Sequence, residues 1–419
     1  MKEQKTFLKL LSWNSLSVFA KIISGFITSK LVALYVGPSG MAVIGNFRNF
    51  ISIIENFATL GTTNGVIKMV SENESNFENR RRIIQTLFGV VSVLLLLILG
   101  ILFLFKNTII NLLFDNQKLT SFEYGLTLLL VPFYVFSLFT MAIVNGLNKI
   151  KELLFIQLLG TFIGLLFSIY LIVNYRVTGA MFAILTAGVL LFFISVFYFV
   201  RKENFANYFT SFNIDKTSLR ELFHYSLMFL ATAFLSPLSN FLIRKKIIAV
   251  SGWHLAGNWE ALNRISGIYF LFITTILTVY FLPKFSQSET KNEKFLVKQY
   301  FSVVMPLFCI GLLLLYLFKD FFVRILLSNE FSEVPKMLLF QIIGDFFKAS
   351  SFVFAYYLIA KKLLRPYVFF EILSFGILLL TNYFAIANYK AIGALYAYDV
   401  TYFIYFAVLL LFYFKTTKN

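Results

Sequence analysis

Apolar runs recur along the chain near residues 9–36, 40–70, 83–105, 120–147, 151–174, 178–200, 218–250, 255–282, 294–318, 333–359, 363–387 and 391–414. Each is long enough to cross a hydrocarbon core of ~30 Å, which takes about 20 helical residues. The pattern therefore predicts twelve transmembrane helices. The second run also carries polar positions. Gly45, Arg48, Ser52, Glu55, Thr59 and Thr62 follow one another at steps of three and four, which on an α-helix is a single face. Lipid tails are a poor neighbour for that face.

The stripe returns 212 residues later as Gly257, Glu260, Arg264, Gly267, Leu271 and Thr274. Gly257-Asn258-Trp259 opens this copy as Gly45-Asn46-Phe47 opens the first. A second match, at an offset of 214, sets Gly179-Ala180-Met181-Phe182-Ala183 against Gly393-Ala394-Leu395-Tyr396-Ala397. The polar loop 201–217 is the natural boundary, giving an N-terminal six-helix bundle (1–200), a cytoplasmic linker (201–217) and a C-terminal six-helix bundle (218–419). An even number of spans per half makes the repeat parallel, a pseudo-two-fold relation about the membrane normal. The expected fold is an all-α integral membrane protein, two six-helix bundles around a central cationic cavity.

Composition agrees. Of 419 residues, 59% are hydrophobic and 14% charged, where a soluble domain has about a quarter charged. The net charge of +17 raises nucleic acid as a partner, but its distribution argues for a membrane instead. With the N-terminus inside, 21 Lys and Arg fall in the tails and even-numbered loops, seven in the opposite loops and nine within spans. That bias predicts cytoplasmic termini. No cleavage site follows the first apolar run, so no signal peptide is expected. Cys309 is the only cysteine, which leaves no intramolecular disulfide and no cysteine metal cluster.

Charges inside the spans are the candidate chemistry. A lysine, arginine or aspartate at a helix centre costs roughly 2.5–3.5 kcal/mol, so Lys21, Arg48, Arg244, Arg264 and Lys348 call for water, partners or a ligand. Asn240 precedes Arg244 by one turn, on the same face. Three acidic residues offer structural pairs: Glu55 with Arg48, Glu260 with Arg264, Asp345 with Lys348. Such pairs would only hold helices together. Against that reading, nine basic residues in the spans meet five acidic ones, Glu55, Glu260, Asp345, Glu371 and Asp399. An excess of cations facing a cavity suits an anionic ligand, and guanidinium groups bind phosphate oxygens in bidentate fashion. A diphosphate fits. No phosphate-binding Gly-x-x-x-x-Gly-Lys loop, no His-Glu-x-x-His and no extramembrane domain is present, so neither catalytic residues, a metal site nor an enzyme activity is expected.

Several segments carry a resemblance: Lys21 to Glu55, Gly61 to Lys68, Arg244-Lys245, Tyr280-Phe281-Leu282-Pro283, Leu326 to Phe331, and Gln341 to Lys348. Together they resemble the Wzx-type flippases, the O-antigen and enterobacterial common antigen lipid III branch of the multidrug/oligosaccharidyl-lipid/polysaccharide exporter superfamily. The likeness runs over nearly the whole chain. It implies a bacterial inner-membrane protein that passes undecaprenyl-diphosphate-linked oligosaccharide from the cytoplasmic to the periplasmic leaflet by alternating access. It implies membrane lipids, a polysaccharide polymerase and chain-length proteins as partners, and no cofactor beyond a proton or monovalent cation for coupling. Lys21, Arg48, Arg244 and Lys348 match basic family positions and Asp345 an acidic one, whereas Glu55, Glu260 and Arg264 stand where relatives are uncharged. The substrate-binding candidates are thus Lys21, Arg48, Arg244, Lys348, Arg264 and Asn240, with Asp345, Glu55 and Glu260 for coupling or ion pairing. A multidrug or cation antiporter of the same superfamily and a non-transporting scaffold for glycan assembly are the competing readings; the first would place acids at the cavity centre, and the second would leave cavity charges silent.

Overall fold

A computed structural model describes residues 2–60, 63–73, 76–114, 120–202, 208, 216–287 and 290–418. Among the described residues the chain is helical and contains no strand. In order the helices are α1 (Lys2–Tyr35), α2 (Gly37–Thr59), α3 (Thr63–Glu72), α4 (Phe77–Leu104), α5 (Lys106–Phe114), α6 (Ser121–Gly146), α7 (Ile150–Lys202), α8 (Lys216–Ile276), α9 (Leu282–Gln287), α10 (Thr290–Gln299), α11 (Met305–Leu317), α12 (Lys319–Leu326), α13 (Val334–Ala360) and α14 (Leu364–Lys418). Seven helical stretches among the described residues are long and apolar enough to cross a membrane. The protein is a multi-pass, all-α membrane protein.

Three of those stretches fold back on themselves. The backbone leaves the helical region at Arg176 (φ 49°), Gly252 (φ 82°) and Lys390 (φ 58°). Around Arg176 the two arms of α7 lie side by side, with Gly160 against Leu191 and Gly164 against Ala187. Around Lys390 the Thr381 and Thr401 hydroxyls meet at 3.3 Å and the Tyr405 hydroxyl donates to Glu371 at 2.6 Å. The turns at Arg176 and Lys390 each depend on a glycine three residues later. A Cβ on Gly179 would run into the carbonyl oxygen of Leu171, and one on Gly393 into that of Ala385. Only hydrogen fits there.

The chain forms two compact units, Met1–Val36 with Asn46–Pro237, and Gly37–Gly45 with Leu238–Asn419. In the first, α1 and α6 pack on α7, and α3 and α4 pack on α6. The helix α6 opens with a capping box between Thr120 and Glu123 and continues through Pro132. In the second, α13 packs along α14 and an aromatic core gathers Phe281, Phe285, Tyr300, Phe354, Tyr357 and Tyr413. The linker expected at 201–217 falls largely outside the described residues; Tyr208 is within them, its carbonyl accepting from Gln85 Nε2 at 2.5 Å.

Two sequence expectations meet a different backbone. The apolar run 40–70 is divided: α2 ends where Leu60 turns left-handed (φ 52°) and α3 begins at Thr63. Gly61 and Thr62, weak helix formers by type, stand between the two helices and lie outside the described residues. After residue 105 a short helix, α5, stands where a loop was expected, held by Asn46 Nδ2 donating to the Leu113 carbonyl at 2.8 Å. Its counterpart is α12. Both follow a Phe in nearly the same non-helical conformation, Phe105 (φ −98°, ψ 23°) and Phe318 (φ −104°, ψ 27°), 213 residues apart.

Backbone turns repeat at this same interval. Positive φ occurs at Asn148 and Lys362 and at Arg176 and Lys390, in each case 214 residues apart, and at Gly37 and Gly252, 215 apart. Leu60 has no such counterpart among the described residues. The periodicity of the sequence is thus a periodicity of turns.

Two π-helical segments, Leu277–Phe281 and Tyr300–Val304, interrupt the second unit. In each the following N–H reaches five residues back, Leu282 to Leu277 and Met305 to Tyr300. A proline comes next in both, Pro283 and Pro306. Lacking an N–H, each leaves a carbonyl four residues earlier, Val279 or Ser302, without its α-helical donor, and the turn widens. The segments touch through Phe281 and Tyr300, edge to face at 5.5 Å.

The glycine turns give a stability test. Gly179→Ala and Gly393→Ala should each lower the detergent-solubilised melting temperature, at an overpacking cost of about 1–3 kcal/mol. Gly164→Ala, where the new methyl would stand 3.6 Å from Ala187, should be neutral or stabilising by up to ~1 kcal/mol. Equal melting temperatures for all three variants would refute the tight-turn account.

Candidate functional site

In the first unit, α1 carries Lys21, whose Nζ donates to Gln157 Oε1 on α7 at 2.8 Å; Ser17 Oγ donates to the same oxygen at 3.4 Å. On α2 the polar stripe is present as one face, with Arg48 exposed and Glu55 half-buried. The Tyr134 hydroxyl of α6 donates to Glu55 Oε2 at 3.0 Å. Arg48 and Glu55 are seven residues apart, roughly 10 Å along the helix, and they form no ion pair. Among the described residues no carboxylate lies within ion-pair distance of Lys21 or Arg48. The partner of Lys21 is a neutral amide.

The second unit treats its cations in two ways. Arg244, 1% exposed, lies on the first arm of α8, and the fold-back at Gly252 brings Glu260 of the second arm to it. Arg244 Nη2 donates to Glu260 Oε2. Glu260 Oε1 also lies 3.6 Å from Arg264 Nε, one turn further on. The expected Glu260–Arg264 pair is therefore one side of a three-residue cluster. Trp259 places its ring 5.5 Å from the Arg244 guanidinium carbon. Gly45, within α2, lies against both charges; a Cβ there would stand 2.8 Å from the Arg244 guanidinium carbon and from the Glu260 carboxyl carbon. Asn240 is half-buried one turn before Arg244.

Asp345 on α13 is fully buried. It accepts from Ser266 Oγ at 2.6 Å, Tyr398 OH at 2.7 Å, Gln341 Nε2 at 3.2 Å and the Tyr269 hydroxyl. Lys348, three residues on, makes no ion pair with it. Its Nζ sits over the rings of Phe270, Tyr402 and Tyr398, at 5.1, 5.1 and 5.5 Å. The pairing expected from their spacing is replaced because neutral donors already surround the carboxylate while aromatic faces take the ammonium. Tyr398 serves both, its hydroxyl on Asp345 and its ring under Lys348.

The aromatic and amide partners were not among the sequence candidates. Tyr398, Tyr402 and Tyr405 follow at steps of four and three, a one-sided row that charge counting passes over. Tyr134 and Gln157 are single polar groups in apolar helices, and nothing local in the sequence connects them with Glu55 and Lys21.

Residues 7–289 match the polysaccharide biosynthesis protein family. The lipid III flippases of Escherichia coli (strain K12) and Shigella flexneri are each 28% identical to this chain over 401 residues, covering 94% of it and 95% of the relative. Among solved structures, the inward-facing conformation of a multidrug resistance MATE family transporter of the MOP superfamily aligns with a TM-score of 0.80 at 12% identity, over 96% of this chain and 94% of that one. The inward closed conformation of the lipid II flippase MurJ aligns with a TM-score of 0.74 at 16% identity, over 95% and 86%. The helices thus adopt the fold these transporters share, and with two-thirds of its length matched the chain belongs to the polysaccharide biosynthesis protein family.

Proposed function

We propose that the chain is a flippase, not an enzyme, that moves undecaprenyl-diphosphate-linked oligosaccharide from the cytoplasmic to the periplasmic leaflet of a bacterial inner membrane by alternating access. The observation that carries this reading is the set of cations on apolar helices that form no ion pair among the described residues: Lys21, Arg48 and Lys348. Such cations are stable in a membrane when an anionic ligand visits them, and a lipid-linked diphosphate brings that charge into the bilayer. The lipid III flippase relatives, matched over 94% of the chain, support the same substrate class.

Arg48 and Lys21 then act as direct ligands of the diphosphate or of acidic sugars, and Lys348, within its aromatic cage, as a third. Asn240 is a hydrogen-bonding contact for the glycan. Arg244 and Arg264 contribute once Glu260 lets them go. Asp345 and Glu55 are the coupling carboxylates, through a proton or a monovalent cation. Twelve spans in two halves, 1–200 and 218–419 joined by 201–217, with both termini cytoplasmic, complete the proposal. The fold-backs at Arg176, Gly252 and Lys390 support that count, because each divides one long apolar stretch in two.

Reconstitution into liposomes with a fluorescent polyprenyl-diphosphate glycan tests the function directly. The expected result is movement of the probe between leaflets by the parent chain, and its failure with and without proton or sodium gradients would overturn the reading. Arg48→Ala should cut the rate at least about tenfold while leaving folded yield unchanged, since a charge-assisted hydrogen bond contributes roughly 1.5–3 kcal/mol. Lys348→Met should lower transport similarly, and Lys348→Arg should recover part of it; parent-like rates for Arg48→Ala and Lys348→Met together would remove these cations from the substrate path.

A further inference from the structure

The cluster of Arg244, Glu260 and Arg264 has a feature that a helix staple does not need. One carboxylate serves two guanidiniums, and the three side chains are only 2%, 7% and 8% exposed. Glu260 turns one oxygen of a planar anion to each arginine, hydrogen-bonded to Arg244 and in ion-pair contact with Arg264 at 3.6 Å, the kind of charge a phosphate oxygen would offer. The cluster is built for closeness: Gly45 removes the side chain that would push the anion away, and Trp259 closes over Arg244. We propose that Glu260 is a resident anion, holding in the substrate-free chain the guanidinium positions that the diphosphate of the lipid-linked substrate takes during transport. The inference rests on the flippase reading above and adds a control to it.

The physical basis is competition. Withdrawing one partner from a buried ion pair leaves an uncompensated charge, which is strongly destabilising. Arg244 and Arg264 therefore separate from Glu260 only when another anion replaces it. A carrier with no substrate keeps its arginines occupied, and a carrier with a diphosphate at hand exchanges one anion for another of higher charge. Glu260 stops empty cycling and also supplies the group that displaces product. It acts through the arginines, as a positioning residue.

If the arginines are available only in the fraction of molecules where Glu260 has let go, the apparent affinity for an anion is lowered by that fraction. Removing the carboxylate charge removes the competitor. Inorganic pyrophosphate serves as the probe, titrated against the full-length detergent-solubilised protein by thermal shift and calorimetry. Glu260→Gln should bind it at least about tenfold more tightly than the parent, while flipping the fluorescent lipid-linked glycan more slowly because release is impaired. Glu260→Asp keeps the competing charge and should bind pyrophosphate within about threefold of the parent. The double variant Glu260→Gln with Arg244→Ala should lose the gain.

If Glu260→Gln does not accumulate as folded protein, it is purified in millimolar pyrophosphate; recovery of monodisperse protein supports the exchange, and absence of recovery overturns it. Unchanged or weaker pyrophosphate binding by folded Glu260→Gln overturns it as well, leaving a structural ion pair. An equal gain with sulfate would overturn the assignment to a diphosphate. These results are read without transport, so they are separable from the function itself: a parent chain that flips the glycan while Glu260→Gln gains no affinity retains the flippase reading and loses only the resident anion.

Discussion

An ionised side chain inside an apolar helix must be compensated, and the arrangement of this protein follows from how each charge is met. At roughly 2.5–3.5 kcal/mol for a charge at mid-membrane, none of these groups is affordable alone. Asp345 is met by four neutral donors from Ser266, Tyr269, Gln341 and Tyr398. Hydrogen bonds to a charged group contribute about 1.5–3 kcal/mol each, so the carboxylate stays buried without a cation. Lys348 is met by three aromatic faces. At about 0.5–1 kcal/mol each, and more when desolvated, they offset much of its cost without neutralising it. Glu260 and two arginines meet one another. Three solutions appear in one unit, and they differ in what surrounds the charge: neutral donors at Asp345, aromatic rings at Lys348, and a carboxylate between two arginines at Glu260.

Position along the sequence alone does not predict how a charge is met. Arg48 and Arg244 look alike in the sequence, each on a polar helical face inside an apolar run. In the fold, Arg48 is exposed and its nearest candidate partner, Glu55, is taken by Tyr134. Arg244 is enclosed. The first makes no ion pair among the described residues, and the second has its anion from within the chain.

How much of this was legible beforehand follows physical lines. Apolar length predicts spans because a bilayer demands it, and the stripe on α2 survives as a face because helical geometry is regular. The glycines Gly179 and Gly393 were visible as a repeated motif, and their reason, a helix turning back on its own carbonyl, is local enough to be anticipated. The division of 40–70 at Leu60 was available in the weak helix formers that follow it, yet total hydrophobicity concealed it. Pairing was the hardest part. Spacing suggested Asp345 with Lys348 and Arg48 with Glu55, but tyrosines and a serine from distant segments, with Gln341 one turn away, meet the carboxylates instead, and a carboxylate does not announce which hydroxyls tertiary packing will bring. Arg264 with Glu260 was readable from one turn of helix; the arrival of Arg244 depended on the left-handed Gly252.

The paired wide turns at Leu277–Phe281 and Tyr300–Val304 bear on how the second unit should be compared with its kin. Each accommodates one residue more than an α-helix would, so every side chain beyond it is out of phase by about 100° with a wheel drawn from the residues before it. A relative lacking one such residue would present a different face to the same neighbours while appearing, in an alignment, to have suffered only a single gap. Angular bookkeeping along these two helices therefore has to be restarted after Pro283 and Pro306.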